Sequence, residues 1–141
     1  MKRTFNSFKA AIDATIQEIK KSQAKSRNVI TLAANQTLQE IRSRHGRYPG
    51  DAKWAKLKPA TIARKARGDS PLLETGKMRD SYGIKQDGNT TMVGSNYFLV
   101  PIHEFGTMEH PEMERPIIMP TAQKVKRIIL PQLIEQHLSR I

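Results

Sequence analysis

Cysteine is absent from the 141 residues, which excludes disulfide frameworks, thiolate zinc sites and cysteine nucleophiles together. Acidic side chains are scarce. Thirteen Asp and Glu stand against 24 Lys and Arg, a formal net charge of +11, so the chain calls for an acidic partner: nucleic acid, an anionic membrane or an acidic protein surface. Long apolar runs are missing too. The strongest, such as residues 128–130, fall far short of the roughly 20 residues that cross a bilayer, so the chain is expected not to span a membrane and no membrane is expected among its partners. After the basic pair Lys2-Arg3, polar and charged residues recur every few positions, so no secretory signal core is expected.

Catalytic motifs are lacking as well. Gly46, Gly50 and Gly68 do not have the spacing of a phosphate-binding or dinucleotide loop. Ser81 and Ser95 lie near glycines but outside any Gly-x-Ser-x-Gly elbow. The pair His103-Glu104 invites comparison with a helical zinc protease, which needs a second His four residues on so that both imidazoles meet one metal. Thr107 stands there, and the next histidine is His110. No catalytic residue, cofactor or metal is therefore expected.

What the chain does contain is ordinary globular material, 38% hydrophobic and 26% charged, of a length that fits one core. Phe5, Phe8, Ile12, Ile16, Ile19, Ile30, Ala33, Thr37 and Ile41 fall on one stripe of a helix, with Gln23 and Ser26 at stripe positions that should be apolar. The pattern predicts one long helix over residues 5–43, bent or divided near 22–26; the alternative is two helices broken near Lys25. At about 1.5 Å per residue the single helix exceeds 50 Å, more than a compact domain needs, so part of it is expected to meet another subunit.

Gly46, Pro49 and Gly50 then stop the helix. A helix is predicted over 60–66 with Pro59 in its first turn, and a short one over 72–81, interrupted at Thr75 and Gly76. Alternation at Tyr82, Ile84 and Gln86, the Asp87-Gly88 turn and the β-prone residues 90–94 predict a hairpin. Residues 97–105, interrupted by Pro101, read as a buried turn or short helix, and 115–120, with Pro116 and Pro120, as an edge strand. Thr121 is the expected N-cap of a closing amphipathic helix over 121–141, carried by Val125, Ile128, Ile129, Leu133, Leu138 and Ile141 and kinked at Pro131. The expected fold is α+β: a long N-terminal helix, a small antiparallel sheet built on a hairpin, and a C-terminal helix. One domain over 1–141 is expected, with a helical arm (1–43), a body (54–119) and the closing helix.

Charge is uneven. Residues 1–67 hold sixteen Lys and Arg against four acids, and the remainder eight against nine. The densest part carries Arg42, Arg44, Arg47, Lys53, Lys56, Lys58, Arg64, Lys65 and Arg67 against Asp51 alone. With Tyr48 and Trp54 interspersed, this stretch fits nucleic-acid binding, marked by a steep salt dependence. A face that meets an acidic protein ring has the same composition.

Between 54 and 119 a set of short motifs follows in order. Trp54-x-x-Leu57-x-Pro59-x-Thr61 comes first, then Leu72-Leu73-Glu74-Thr75-Gly76-Lys77-Met78-Arg79-Asp80-Ser81. A hairpin ending Val93-Gly94-Ser95 leads to Tyr97 and to Ile102-His103-Glu104-Phe105-Gly106-Thr107, and Arg115-Pro116 closes the set. This order resembles the tailed-phage virion morphogenesis family of tail-completion, neck and minor tail-component proteins, over about half the chain. The segment Glu114-Arg115-Pro116-Ile117 departs from it in lacking an aromatic after the proline. The resemblance implies a structural role at the head-tail junction or proximal tail end, with no chemistry of its own. It also implies other connector or tail proteins as partners, a homo-oligomeric ring in the virion, and assembly in the bacterial cytoplasm. Within the motifs, Gly76 and Gly106 are expected to make tight turns that place Arg79 and His103. Phe105 and Tyr97 are expected to anchor the hairpin against the helices, and Glu104 and Arg115 to pair or to bridge to a neighbouring subunit.

Overall fold

The computed structural model describes residues 8–138. Its longest element is α1, Phe8–Ser43, a single helix of 36 residues that spans about 54 Å. It is not divided near Lys25. Ser26 donates its hydroxyl to the Ser22 carbonyl at 3.0 Å, so the polar residues at the expected break are satisfied within the helix. Phe5 and the first turn of the expected helix lie outside the described residues. No residue of α1 before Val29 is buried; Val29, Ala33, Ala34 and Ile41 are.

Beyond the loop come α2 (Pro59–Arg64), α3 (Lys77–Ser81), strands β1 (Gly83–Asp87) and β2 (Thr90–Gly94), α4 (Leu99–Phe105), a 3-10 turn at Pro111–Met113, α5 (Ile118–Lys124) and α6 (Leu130–His137). The molecule is α+β, as its periodicities predict. Pro59 opens α2, where its missing N–H costs nothing. β1 and β2 are antiparallel, in register from Gly83 opposite Gly94 to Asp87 opposite Thr90, and close on a two-residue loop.

Local patterns misplace three things. Residues 72–76 are turns and bends, and the helix predicted over 72–81 is confined to α3. Residues 115–120 form no strand; Ile118 already begins α5. Thr121 is therefore inside a helix, 1% exposed, with its hydroxyl unpartnered among the described residues, and it caps nothing. Pro131 does not break the closing helix. The distortion it demands is taken up just ahead of it, where Val125–Ile129 forms a π turn and Leu130 donates its N–H to Val125, five residues back. The last three residues of the expected helix, with Ile141, lie outside the described chain.

Two apolar clusters hold these elements together. One joins Ile41, Trp54, Met78, Tyr82, Val100 and Ile117; the other joins Val29 and Ala33 of α1 to Ile129 and Leu133. His45 lies at the edge of the first, 6% exposed, edge-on to the Tyr82 ring at 5.6 Å. Its Nδ1 donates to the Ile41 carbonyl at 3.0 Å, while Nε2 is buried without a partner among the described residues. Burial holds the imidazole below its ordinary pKa of 6.5, against the opposing pull of that carbonyl. The unfolded chain therefore takes up a proton near pH 6.5 before the folded chain does, so the contribution of neutral His45 is complete above that pH and is lost on acidification below it. His103 is shifted the same way, by burial first. The melting temperature should fall between pH 7.5 and 5, and His45→Gln should flatten that slope; an unchanged slope would remove His45 from the account.

Candidate functional site

Six of the motif residues meet in one groove, while Glu104, Phe105 and Pro116 line another. Leu57, Thr75, Gly76, Tyr97, His103 and Arg115 line a single groove of about 240 Å³ together with Lys65, Leu72 and Leu99. Gly76 has φ +88, and a Cβ there would come within 2.7 Å of the Arg79 guanidinium. That guanidinium lies along the neighbouring Asp80 carboxylate at 2.9 and 3.3 Å, which holds the Asp80 carboxyl below its usual range. Gly106 has φ +68 and ψ −174, a region essentially closed to other residues. A Cβ on it would stand 3.1 Å from that of Glu114. Gly106→Val should cost about 1–3 kcal/mol from the backbone alone, read as a lower urea midpoint; a wild-type midpoint would show that the turn relaxes freely.

Glu104 and Arg115 do not pair. The Glu104 carboxylate is 8% exposed and accepts the backbone N–H groups of Ile117, Ile118 and Met119 at 2.8, 3.0 and 2.9 Å. It thus satisfies the orphan donors at the start of α5, with its charge against the positive end of the helix dipole. Arg115, also 8% exposed, donates twice to the Ala55 carbonyl, at 3.2 and 2.8 Å, and its N–H meets the His103 carbonyl at 2.6 Å. Trp54 Nε1 donates to the Pro116 carbonyl at 3.1 Å. Residues 54–55 and 115–116 are therefore stitched together from both sides. Burial, and then the Arg115 charge, lower the His103 pKa against the pull of the Met113 carbonyl, which its Nδ1 meets at 3.2 Å.

The remaining motif hydroxyls are also engaged. Ser81 and Ser95 share a hydrogen bond of 2.6 Å, Ser81 donates to the Met78 carbonyl at 2.6 Å, and Ser95 accepts from the Tyr97 N–H. Thr107 accepts from the His110 N–H and Thr75 from that of Lys77. Tyr97 packs against the first core cluster. Phe105 does not anchor the hairpin: its ring is 76% exposed.

The basic stretch divides. Arg44 is withdrawn from it, 3% exposed and held in a forked pair with Asp51 at 2.6 and 2.7 Å. The guanidinium keeps the Asp51 carboxyl below its usual range. Lys65 pairs with Glu74 at 3.1 Å, Lys56 covers the Tyr48 ring at 3.8 Å, Arg42 donates to the Tyr82 carbonyl and Arg64 to that of Ala60. Arg47, Lys53, Lys58 and Arg67 are exposed and, among the described residues, their side chains make no hydrogen bond or ion pair. Arg47 opens onto a cleft of about 570 Å³ that Lys124 and Arg127 also line; sequence spacing gave no signal of that meeting.

The chain matches no family model, no curated protein and no solved structure. Among the described residues no group of three His, Asp or Glu is placed to hold a metal, and no helix is long and apolar enough to cross a membrane.

Proposed function

We propose that this chain is a structural virion assembly protein of a tailed bacteriophage, acting at the head-tail junction or the proximal end of the tail. The observation that carries the reading is where the motif side chains spend their polar groups. Glu104, Arg115, Trp54 and His103 all bond to backbone atoms of distant segments, so the residues that carry the family resemblance act as ties that fix the shape of a body. A helical arm whose apolar residues Phe8, Ile12, Ile16 and Ile19 are exposed beside that body suits a subunit that gains partners in a particle, as a ring of heterologous contacts would provide.

The test is electron microscopy of particles produced by the phage or prophage after deletion of this gene. Full heads separated from finished tails support joining or completion; ordinary infectious particles overturn the proposal. A second reading, contact with the genome end through the basic half, is favoured by the free side chains of Arg47, Lys53, Lys58 and Arg67. Binding to unspecific duplex DNA with a steep salt slope supports it, and no binding at physiological salt removes it.

A further inference from the structure

We propose that the N-terminal half of α1 is a docking arm whose apolar stripe seats in a groove on the body of a second copy of this chain. The proposal deepens the assembly reading and rests on it for its setting. Phe8, Ile12, Ile16 and Ile19 are 83%, 44%, 43% and 52% exposed, on the part of α1 that precedes its first buried residue, Val29. Their spacing puts them on one face. Four large apolar residues that follow one helix face and stay exposed form an interaction surface, not a solvated one.

The body carries the matching concavity. A groove of about 520 Å³ is lined by Val100, Pro101, Phe105, Pro116 and Met119, with Phe105 76% and Met119 61% exposed at its rim. Charge identifies the occupant. Asp51, Glu104 and the exposed Glu114 are the charged residues of the groove's lining, with no Lys or Arg among them, and from residue 99 to 119 the only Lys or Arg is the buried Arg115. At 3.6 residues per turn Lys9 and Lys20 flank the apolar stripe on one side, and residues 8–30 carry five Lys and Arg against two acids. Pairing two arms would set like charges against each other along a short seam. Arm against groove sets opposite charges around an apolar centre, which favours that register over the alternative. Because the two surfaces differ, the contact is head-to-tail and propagates from copy to copy.

Freedom from cysteine makes the test unambiguous. Two full-length variants, Ile12→Cys and Met119→Cys, are purified separately, mixed and oxidised mildly, so that any cross-linked product is intermolecular. The proposal expects the mixed dimer to exceed either self-dimer by about tenfold. It also expects Lys9→Glu with Lys20→Glu to cut that yield severalfold, and Glu114→Lys to restore part of it. Circular dichroism verifies that each variant is folded. A dominant Ile12→Cys self-dimer, showing arm against arm, overturns the proposal, as does the absence of any mixed product at high protein concentration. Failure here and failure of the virion reading are separable: defective particles without a mixed dimer leave the assembly role standing and remove the docking. A mixed dimer beside normal deletion particles does the reverse.

Discussion

Glu104→Ala is expected to lower the unfolding free energy by about 3–5 kcal/mol, because it removes a charged acceptor and strands three donors in a buried site. Those donors are the N–H groups of Ile117, Ile118 and Met119, and Ile117 is itself 2% exposed, so water cannot replace the carboxylate at little cost. Loss on this scale consumes a large share of the roughly 5–15 kcal/mol that holds a domain folded. Glu104→Gln separates charge from shape. Its amide oxygen can still accept, but its NH2 faces a donor, and about 1–3 kcal/mol should be lost. Urea unfolding monitored by far-ultraviolet circular dichroism measures both; a glutamine variant as stable as the parent would show that the carboxylate charge contributes nothing to the cap.

The second large effect is at Trp54. Its indole is 7% exposed within the main core cluster, and truncation of a buried Trp to Ala costs about 3–5 kcal/mol through lost burial and the cavity left behind. Trp54→Phe keeps most of the ring volume and loses the 3.1 Å bond to the Pro116 carbonyl, which should cost about 1 kcal/mol. The same unfolding experiment ranks the two variants. Equal losses would assign the whole effect to the hydrogen bond, contrary to the packing account. As this is the only Trp in the chain, its fluorescence in the parent reports directly on whether that core is closed.

Features written in local periodicity were legible in the sequence. The 3.6-residue stripe from Phe8 to Ile41 and the two-residue alternation around Asp87-Gly88 each stabilise their element from within, and α1 and the hairpin stand where those patterns put them. Features decided across the chain were not. The segment 115–120 reads as an edge strand because its two prolines and isoleucines favour extended backbone. What starts a helix there is a carboxylate 13 to 15 residues earlier, which no local window contains. Thr121 looks like a cap for the same reason, since the true cap lies on α4. Arg44 counts as surface charge in any composition argument until Asp51 closes on it across the loop. Phe105 shows the converse: an aromatic in an apolar block is taken for core, yet its direction from a short helix turns it outward. The groove at Leu57, Tyr97 and His103 was legible only as a list of residues; their convergence needed the fold.

The division of the interior into two clusters on one helix has a consequence for motion. Ile41 belongs to the larger cluster and Val29 and Ala33 to the smaller, so the end of the chain that carries Leu133 can lift away without disturbing the contacts of Trp54 or Tyr82. Such sub-global opening gives the two regions different amide-exchange rates, with residues 129–137 exchanging well ahead of those around Ile41. Equal exchange rates in the two regions would show instead that both clusters open together.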